Sequence, residues 1–341
     1  NLYPTWVEDD GSGSSFSYSE GMIVNHSGSS WVSNEDSNQE EPGTGSKWRV
    51  KKSDINNLSQ PWIFDTEDDF KAFSSVFPDG KIIILQDRGA EFVKSSGAVT
   101  PDGYFSVGGV GAFQTIELVT DDVYITALGA KKDQDNLPLI QAAVQTGRVI
   151  IVPQGDWSVG GGTIRLNDFQ HLRLATGANL IKRSALTSDS EPVVWIRGVG
   201  CTLKGGGLRS SFIKTENKSP SGVVRIGKES MSDSSPSPIS HGDISNFGIE
   251  GQKVFGQDSG LPDICLDMPS PQITGNDFNY FHQIYNLYLS NCNNGIWLRG
   301  FANGLNIKNI YGVNIGSAGI PDGCLIYNNG ALDNAITDIF F

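Results

Sequence analysis

In the C-terminal third of the chain one short pattern recurs: isoleucine, then two residues on an asparagine or aspartate, then another apolar residue. It reads Ile244-Ser-Asn246-Phe, Ile284-Tyr-Asn286-Leu, Ile307-Lys-Asn309-Ile and Ile336-Thr-Asp338-Ile. The last three polar positions stand 23 and 29 residues apart (309 − 286; 338 − 309). Periods of roughly 20–30 residues built from short apolar runs and glycine turns belong to solenoids, whose single coils are too small to bury their own apolar face. Stacking completes the core, so like residues come to lie above one another. Asparagine suits the turns because it accepts left-handed backbone and bonds its own chain. Forty-one glycines and 10 % aromatic residues favour many turns and short strands over helical repeats. The pattern therefore predicts a mainly β chain wound as a parallel β-helix. The longer interval between Asn246 and Asn286 holds PSPQITGNDFNYF, which reads as a loop thrown out from the stack.

The segment ALGAKKDQDNLPLIQAAVQTGRVIIVPQGDW, Ala127 to Trp157, stands apart. Asp135 or Asn136 can cap a helix there, Pro138 is tolerated in its first turn, and Gly147 can end it. Leu137, Ile140 and Val144 fall on one face, and a helix of only about ten residues must dock on something to persist. RVIIVP follows as a buried strand stopped by Pro153. The first coil of a β-helix leaves strand edges unpaired and an apolar interior open, and one amphipathic helix laid across it covers both. The acidic knot Asp133–Asn136 reads as a helix cap. A calcium loop counted from Asp133 needs glycine at position 138 and glutamate at 144, where Pro138 and Val144 stand.

Upstream, two smaller parts are expected. Residues 1–60 open with a polar Gly/Ser lead-in and then form a small β module that leans on Tyr18, Trp31 and Trp48 for its core. Residues 61–122 form a small α+β linking domain. In it Thr66 caps a short helix carrying Phe70, KIIILQDRG is a buried strand, and a hairpin-like pair turns around Pro101-Asp102-Gly103. The region 123–341 is the helical cap with the first coils of the β-helix. The closing run AITDIFF lacks a final turn, so the stack is expected to continue beyond it.

The run Leu128-Gly129-Ala130, Asp133 and Asp135, Ile140-Gln141-Ala142-Ala143, Val149–Val152 and Pro153-Gln154-Gly155-Asp156-Trp157 resembles the start of the pectate-lyase-like β-helix as it occurs in bacteriophage tailspikes. KKDQDN stands where that family usually has GDGxxDD. The sequence from about residue 64 resembles the linking domain and early coils of the same family. In the first module, Tyr18, Gly21, Val24, Gly28, Trp31, Pro42-Gly43 and Trp48 resemble small chitin-binding-type carbohydrate modules. The resemblance implies a right-handed parallel β-helix in a homotrimer, held on the phage tail or baseplate through its N-terminal part. It also implies an extracellular, virion-borne protein that binds and depolymerises a bacterial surface polysaccharide.

Composition trims the function classes. A net charge of −13 without a basic stripe argues against nucleic-acid binding. No apolar run reaches the roughly 20 residues a membrane-crossing helix needs, so membrane insertion is not expected. Cys201, Cys265, Cys292 and Cys324 are scattered, and the four histidines show no paired-ligand spacing. Buried thiols are therefore expected rather than a zinc site or a disulfide framework, with no metal and no cofactor. Cleaving a glycan by hydrolysis calls for two carboxylates about 5–9.5 Å apart. Among the acids on coil-like text (Asp263, Asp277 and Asp338 included), the candidates are Glu250, Asp267 and Asp322, each also readable as a turn residue. A lyase would instead need a Lys, Arg or His base, and none stands out. Candidate sugar-stacking rings are Trp31, Trp48, Tyr280, Tyr285 and Tyr288, for which core or interface packing is the alternative. Two rival functions remain: a non-catalytic fibre or adaptor that only adheres to glycan, and a secreted microbial polysaccharide lyase.

Overall fold

The computed structural model describes residues 17–20, 22–26, 29–42, 47–50, 60–73, 75, 77–96, 101–109, 115–118, 120, 122–183, 191–216, 222–227, 239–252, 264–270, 279–300, 302–316, 324–329 and 334–340. The lead-in, Gly21, Gly28, Gly43, Asp263, Asp277, Phe278 and Asp322 lie outside them. Two units divide the chain, Asn1–Thr120 and Asp121–Phe341.

The first unit contains two separate sheets. One pairs Ile23–His26, Ser29–Ser33 and Trp48–Val50 antiparallel, around a core of Tyr18, Val24 and Trp48 against which Trp31 packs. The Tyr18 and Trp48 rings meet edge to face at 5.2 Å. The other orders its strands Trp62–Phe64, Ile82–Leu85, Ala90–Lys94, Thr115–Leu118, Ser106–Gly108. Its helix α1, Glu67–Ala72, begins at Thr66 with a reciprocal capping box to Asp69 and buries Phe70. The hairpin expected around Pro101-Asp102-Gly103 does not form. Thr115–Leu118 lies between the strands on either side of that turn and pairs with both. The Asp102 carboxylate instead closes its own loop, accepting from the Tyr104 and Ser106 N–H groups at 2.8 and 2.9 Å.

The second unit is a parallel β-helix. Sheet one stacks Asp122–Tyr124, Val149–Val152, His171–Leu174 and Thr202–Lys204, and continues through the first halves of four longer strands: Asp243–Glu250, Gln283–Cys292, Asn306–Ile315 and Ala335–Phe340. Sheet two stacks Gly155–Ser158, Ala178–Lys182 and Phe212–Thr215 on the second halves of the same long strands. Sheet three stacks Ile164–Leu166, Val194–Ile196, Val224–Ile226, Ile264–Ser270, Asn294–Gly300 and Ile326–Asn329. Every pair within these sheets is parallel, and period-2 alternation sends one row of each strand inward. On sheet one that row is Val123, Ile150, Leu172, Leu203, Ile244, Ile284, Ile307 and Ile336.

The corner between sheets one and two is where the sequence repeat acts. Asn246, Asn286, Asn309 and Asp338 take left-handed backbone, with φ of 65, 54, 53 and 55°. The asparagine amides then bond up the stack, Asn286 Nδ2 donating to Asn246 Oδ1 and Asn309 Nδ2 to Asn286 Oδ1, both at 2.9 Å. Part of the interval read as a thrown-out loop belongs to the stack. Asn279–Tyr280 pairs in parallel with Ile239–Ser240 and Ala302–Asn303, a short extra sheet that eases the chain from sheet three back to sheet one.

Helix α2, Leu137–Val144, docks at the start of this stack and buries Leu139, Ile140, Ala143 and Val144. Asn136 is the N-cap residue but makes no side-chain cap bond; the Asp135 carboxylate before it takes the first helical N–H, its Oδ1 accepting from Leu137 at 2.9 Å. Gln141 behaves as a fragment of a missing strand: Oε1 accepts from Arg165 N–H at 2.7 Å and Nε2 donates to Arg165 O at 3.1 Å. Asn136 does the same for sheet two, donating to Ser158 O from its backbone N–H at 2.9 Å and from Nδ2 at 3.2 Å. Asp122–Tyr124 covers sheet one. Val149–Val152, Gly155–Ser158 and Ile164–Leu166 thus each have a partner on the outer edge, which answers the open-end problem group by group.

Candidate functional site

With the interior filled, chemistry is left to the outward rows. On sheet two the register places Asp156, Asn179, Phe212, Gly248, Tyr288, Tyr311 and Phe340 in one outward row. Gly248 shapes this row: a Cβ there would lie 2.2 Å from Phe212 Cε1. Its absence lets the Phe212 ring lie across the glycine and meet Tyr288 edge to face at 6.2 Å. Arg209 sits over the Tyr288 ring at 4.7 Å and Lys214 over Phe212 at 4.8 Å. Further along, Tyr311 and Phe340 stack at 4.6 Å with planes 9° apart. The row is a half-buried aromatic strip edged by cations.

Glu250 lies two residues beyond Gly248 on the same outward side. Lys214 Nζ is 3.2 Å from its Oε2, and Asn291 Nδ2 donates to its Oε1 at 2.8 Å. Asn291 in turn accepts from Asn314 Nδ2 at 2.8 Å, so Glu250 begins a second polar ladder at the corner towards sheet three. Asp156, the other acid on the row, accepts from Asn179 Nδ2 at 2.6 Å and is three strands away from Glu250. Three inter-strand steps span about 14 Å, beyond the reach of a carboxylate pair acting on one glycosidic bond.

On sheet one the outward side is polar. Tyr285 stands just before the Asn286 corner as Tyr288 stands just after it, and Lys308 Nζ lies 5.5 Å from the Tyr285 ring centre. Lys204 meets Asp243 at 2.7 Å, and that hydrogen bond raises its pKa. Burial, with help from the Lys204 charge, lowers the pKa of His171, whose Nδ1 lies 2.9 Å from Thr202 Oγ1.

Sheet three carries Arg165, Trp195, Arg225, Asp267, Trp297 and Tyr327 in its outward row. Alternation alone would leave Asp267 at the surface, yet it is 0 % exposed, with Arg225 Nε 3.3 Å from its Oδ2. Arg225 also lies over the Trp195 ring, whose Nε1 donates to Gly227 O at 2.6 Å. Asp267 is therefore half of a fully buried ion pair, not a carboxylate open to solvent. Glu250 ends a strand of sheet two and Asp267 lies within sheet three, while the third candidate, Asp322, is outside the described residues.

Of the candidate rings, Trp48 is 2 % exposed and donates from Nε1 to Glu40 O, which leaves it no open face for a sugar. Trp31 is half-buried against the same core. Tyr280 belongs to the short strand between sheets three and one. Tyr285 and Tyr288 are half-buried and face outward on either side of one corner. Phe212, Tyr311 and Arg209 escaped the sequence reading because each joins the strip only through a register spanning whole coils. Among the described residues no group of three or more His, Cys, Asp or Glu is placed to hold a metal. Among them, too, no helix is long and apolar enough to cross a membrane.

No family model matches the chain, and no curated protein matches it. Its structure is similar to solved phage tailspikes. Tailspike protein 2 of an Escherichia coli O157:H7 bacteriophage shares 15 % identity at a TM-score of 0.42, over 74 % of this chain and 40 % of that one. The tailspike of Acinetobacter baumannii phage AM24 shares 11 % at 0.43, over 85 % and 59 %. A glycan biofilm modifying enzyme of Pantoea stewartii, itself of tailspike-like parallel β-helix fold, shares 15 % at 0.36, over 89 % and 52 %. The chain spans about two to three fifths of the length of these proteins.

Proposed function

We propose that this chain is the N-terminal part and early β-helix of a phage tailspike that binds a bacterial surface polysaccharide along the outer face of sheet two and depolymerises it. One observation carries the reading: a rigid parallel β-helix presents Phe212, Tyr288 and Tyr311 in one outward row with Arg209 and Lys214 at its edge. Sugar rings have apolar faces that suit aromatic platforms, and a strip running along the stack fits an extended polymer better than a small ligand. The sequence resemblance over Ala127–Trp157 points to the same class. On this reading the protein is a homotrimer, residues 1–60 attach it to the phage tail, and Glu250 is the acid nearest the bound chain.

The alternative is a fibre that adheres to glycan without cleaving it. Incubating the whole protein with purified capsule or O-antigen from candidate hosts separates the two. New reducing ends, or absorbance from unsaturated sugars, with a falling polymer size are expected. Tight binding with no chain shortening on any of these glycans would replace the depolymerase with the adhesive fibre.

A further inference from the structure

The scattered cysteines do not all stay apart. Cys265 lies in the sheet-three strand Ile264–Ser270, and Cys292 closes the long strand Gln283–Cys292. Folding brings their sulfurs to 2.7 Å across a sequence separation of 27 residues, and both residues are 0 % exposed. A disulfide bond needs about 2.05 Å, so the two sulfurs already stand within about 0.7 Å of bonding distance. Around the pair are backbone carbonyls: Ile249 O and Ser290 O each lie 3.5 Å from Cys265 Sγ, and Asn294 O lies 3.1 Å from Cys292 Sγ. No third metal-ligating side chain joins them among the described residues. Two adjoining thiols share one chemistry, the loss of two electrons to form a bond.

We propose that Cys265 and Cys292 are a disulfide site, which a small-molecule disulfide oxidant such as oxidised glutathione converts into a staple between neighbouring coils at the corner of sheets two and three. One cysteine thiolate attacks a glutathione sulfur, forming a mixed disulfide and releasing one glutathione thiol. The second thiolate attacks the protein-side sulfur of that bond and releases the other glutathione. The two protein thiols lose two electrons and two protons in all, and one oxidised glutathione becomes two reduced ones. Full burial slows this in the folded protein, where it waits on local opening, whereas a refolding chain reacts readily. Burial pushes the Cys201 thiol up to about 11, which makes it a poor nucleophile.

The test is to refold the whole protein in oxidised and in reduced glutathione, block remaining thiols with N-ethylmaleimide in denaturant, and digest without reduction. Mass spectrometry is expected to find a Cys265–Cys292 linked peptide only after oxidative refolding, with Cys201 and Cys324 alkylated in both samples. The thermal midpoint is expected to rise on oxidation by about 5 °C, from the entropy of the closed loop. Cys265→Ser and Cys292→Ser should each abolish that rise. Four alkylated cysteines after oxidative refolding, or a link to Cys201 or Cys324 instead, would overturn the proposal. The wild-type peptide map decides even if a serine variant fails to fold.

Discussion

Asn136→Ala is expected to lower the unfolding free energy of the β-helix unit by about 3 kcal/mol, the loss of several hydrogen bonds made by one buried amide. Asn136 is 3 % exposed. Its Oδ1 accepts from Lys131 N–H at 3.1 Å, while the two hydrogens of Nδ2 are shared among Lys131 O, Gln134 O and Ser158 O at 2.9, 2.9 and 3.2 Å. Alanine leaves the Lys131 and Gln134 groups without the amide, while Ser158 O keeps only its bond from the backbone N–H at position 136. Asn136→Asp should be worse than alanine, because a carboxylate would face three carbonyls. Gln141→Ala removes the paired bonds to Arg165 and is expected to cost about 2 kcal/mol. Asp135→Ala, which loses one exposed bond to the first helical N–H, should cost about 1 kcal/mol. Urea unfolding monitored by far-UV dichroism gives the order, and equal effects for Asp135 and Asn136 variants would refute the edge-sealing account.

Acidification is the second large effect. His282 is 0 % exposed, and its Nδ1 accepts from Gly242 N–H at 3.0 Å. Burial, reinforced by His241 on the coil before and opposed by the Ile239 backbone, takes its pKa from 6.5 down to about 4. The native state therefore holds the ring neutral while the unfolded chain protonates it first. This contribution is fully present above pH 6.5, is lost progressively as pH falls towards 4, and amounts to about 3 kcal/mol over that window. Carboxylates titrate at the lower end of the same range, so the informative quantity is the difference between wild type and His282→Asn, which keeps an acceptor for Gly242. The difference in unfolding free energy should shrink as pH falls from about 7 to 4. A pH-independent difference would show that His282 does not titrate on unfolding.

What could be read from the sequence was local. Asn246, Asn286, Asn309 and Asp338 announce a turn because left-handed backbone is a property of one residue, and stacking multiplies it. The lid helix is legible from its amphipathic face and from the need to close the first coil. That Gln141 would complete a strand edge 24 residues away is not, because its spacing encodes no partner. Asp267 misleads for a similar reason: alternation places it outward, and only the folded chain shows it sealed against Arg225. The aromatic strip is hidden in the same way. Phe212 and Tyr288 are 76 residues apart (288 − 212) and meet because Gly248 stands between them on the intervening coil. Pairing registers across coils of unequal length carry that information, and no short window of residues holds it.

The most direct test of the glycan-binding face is to measure affinity for a polysaccharide that the whole protein binds, comparing Phe212→Ala and Tyr288→Ala with Tyr124→Ala. Tyr124 is 48 % exposed and lies on sheet one, away from the strip, so it controls for loss of a surface ring. With thermal midpoints matched to wild type, each strip variant is expected to lose about tenfold in affinity, the worth of one stacked ring, while Tyr124→Ala stays at the wild-type value. Unchanged binding in both strip variants would contradict the assignment of the sheet-two face.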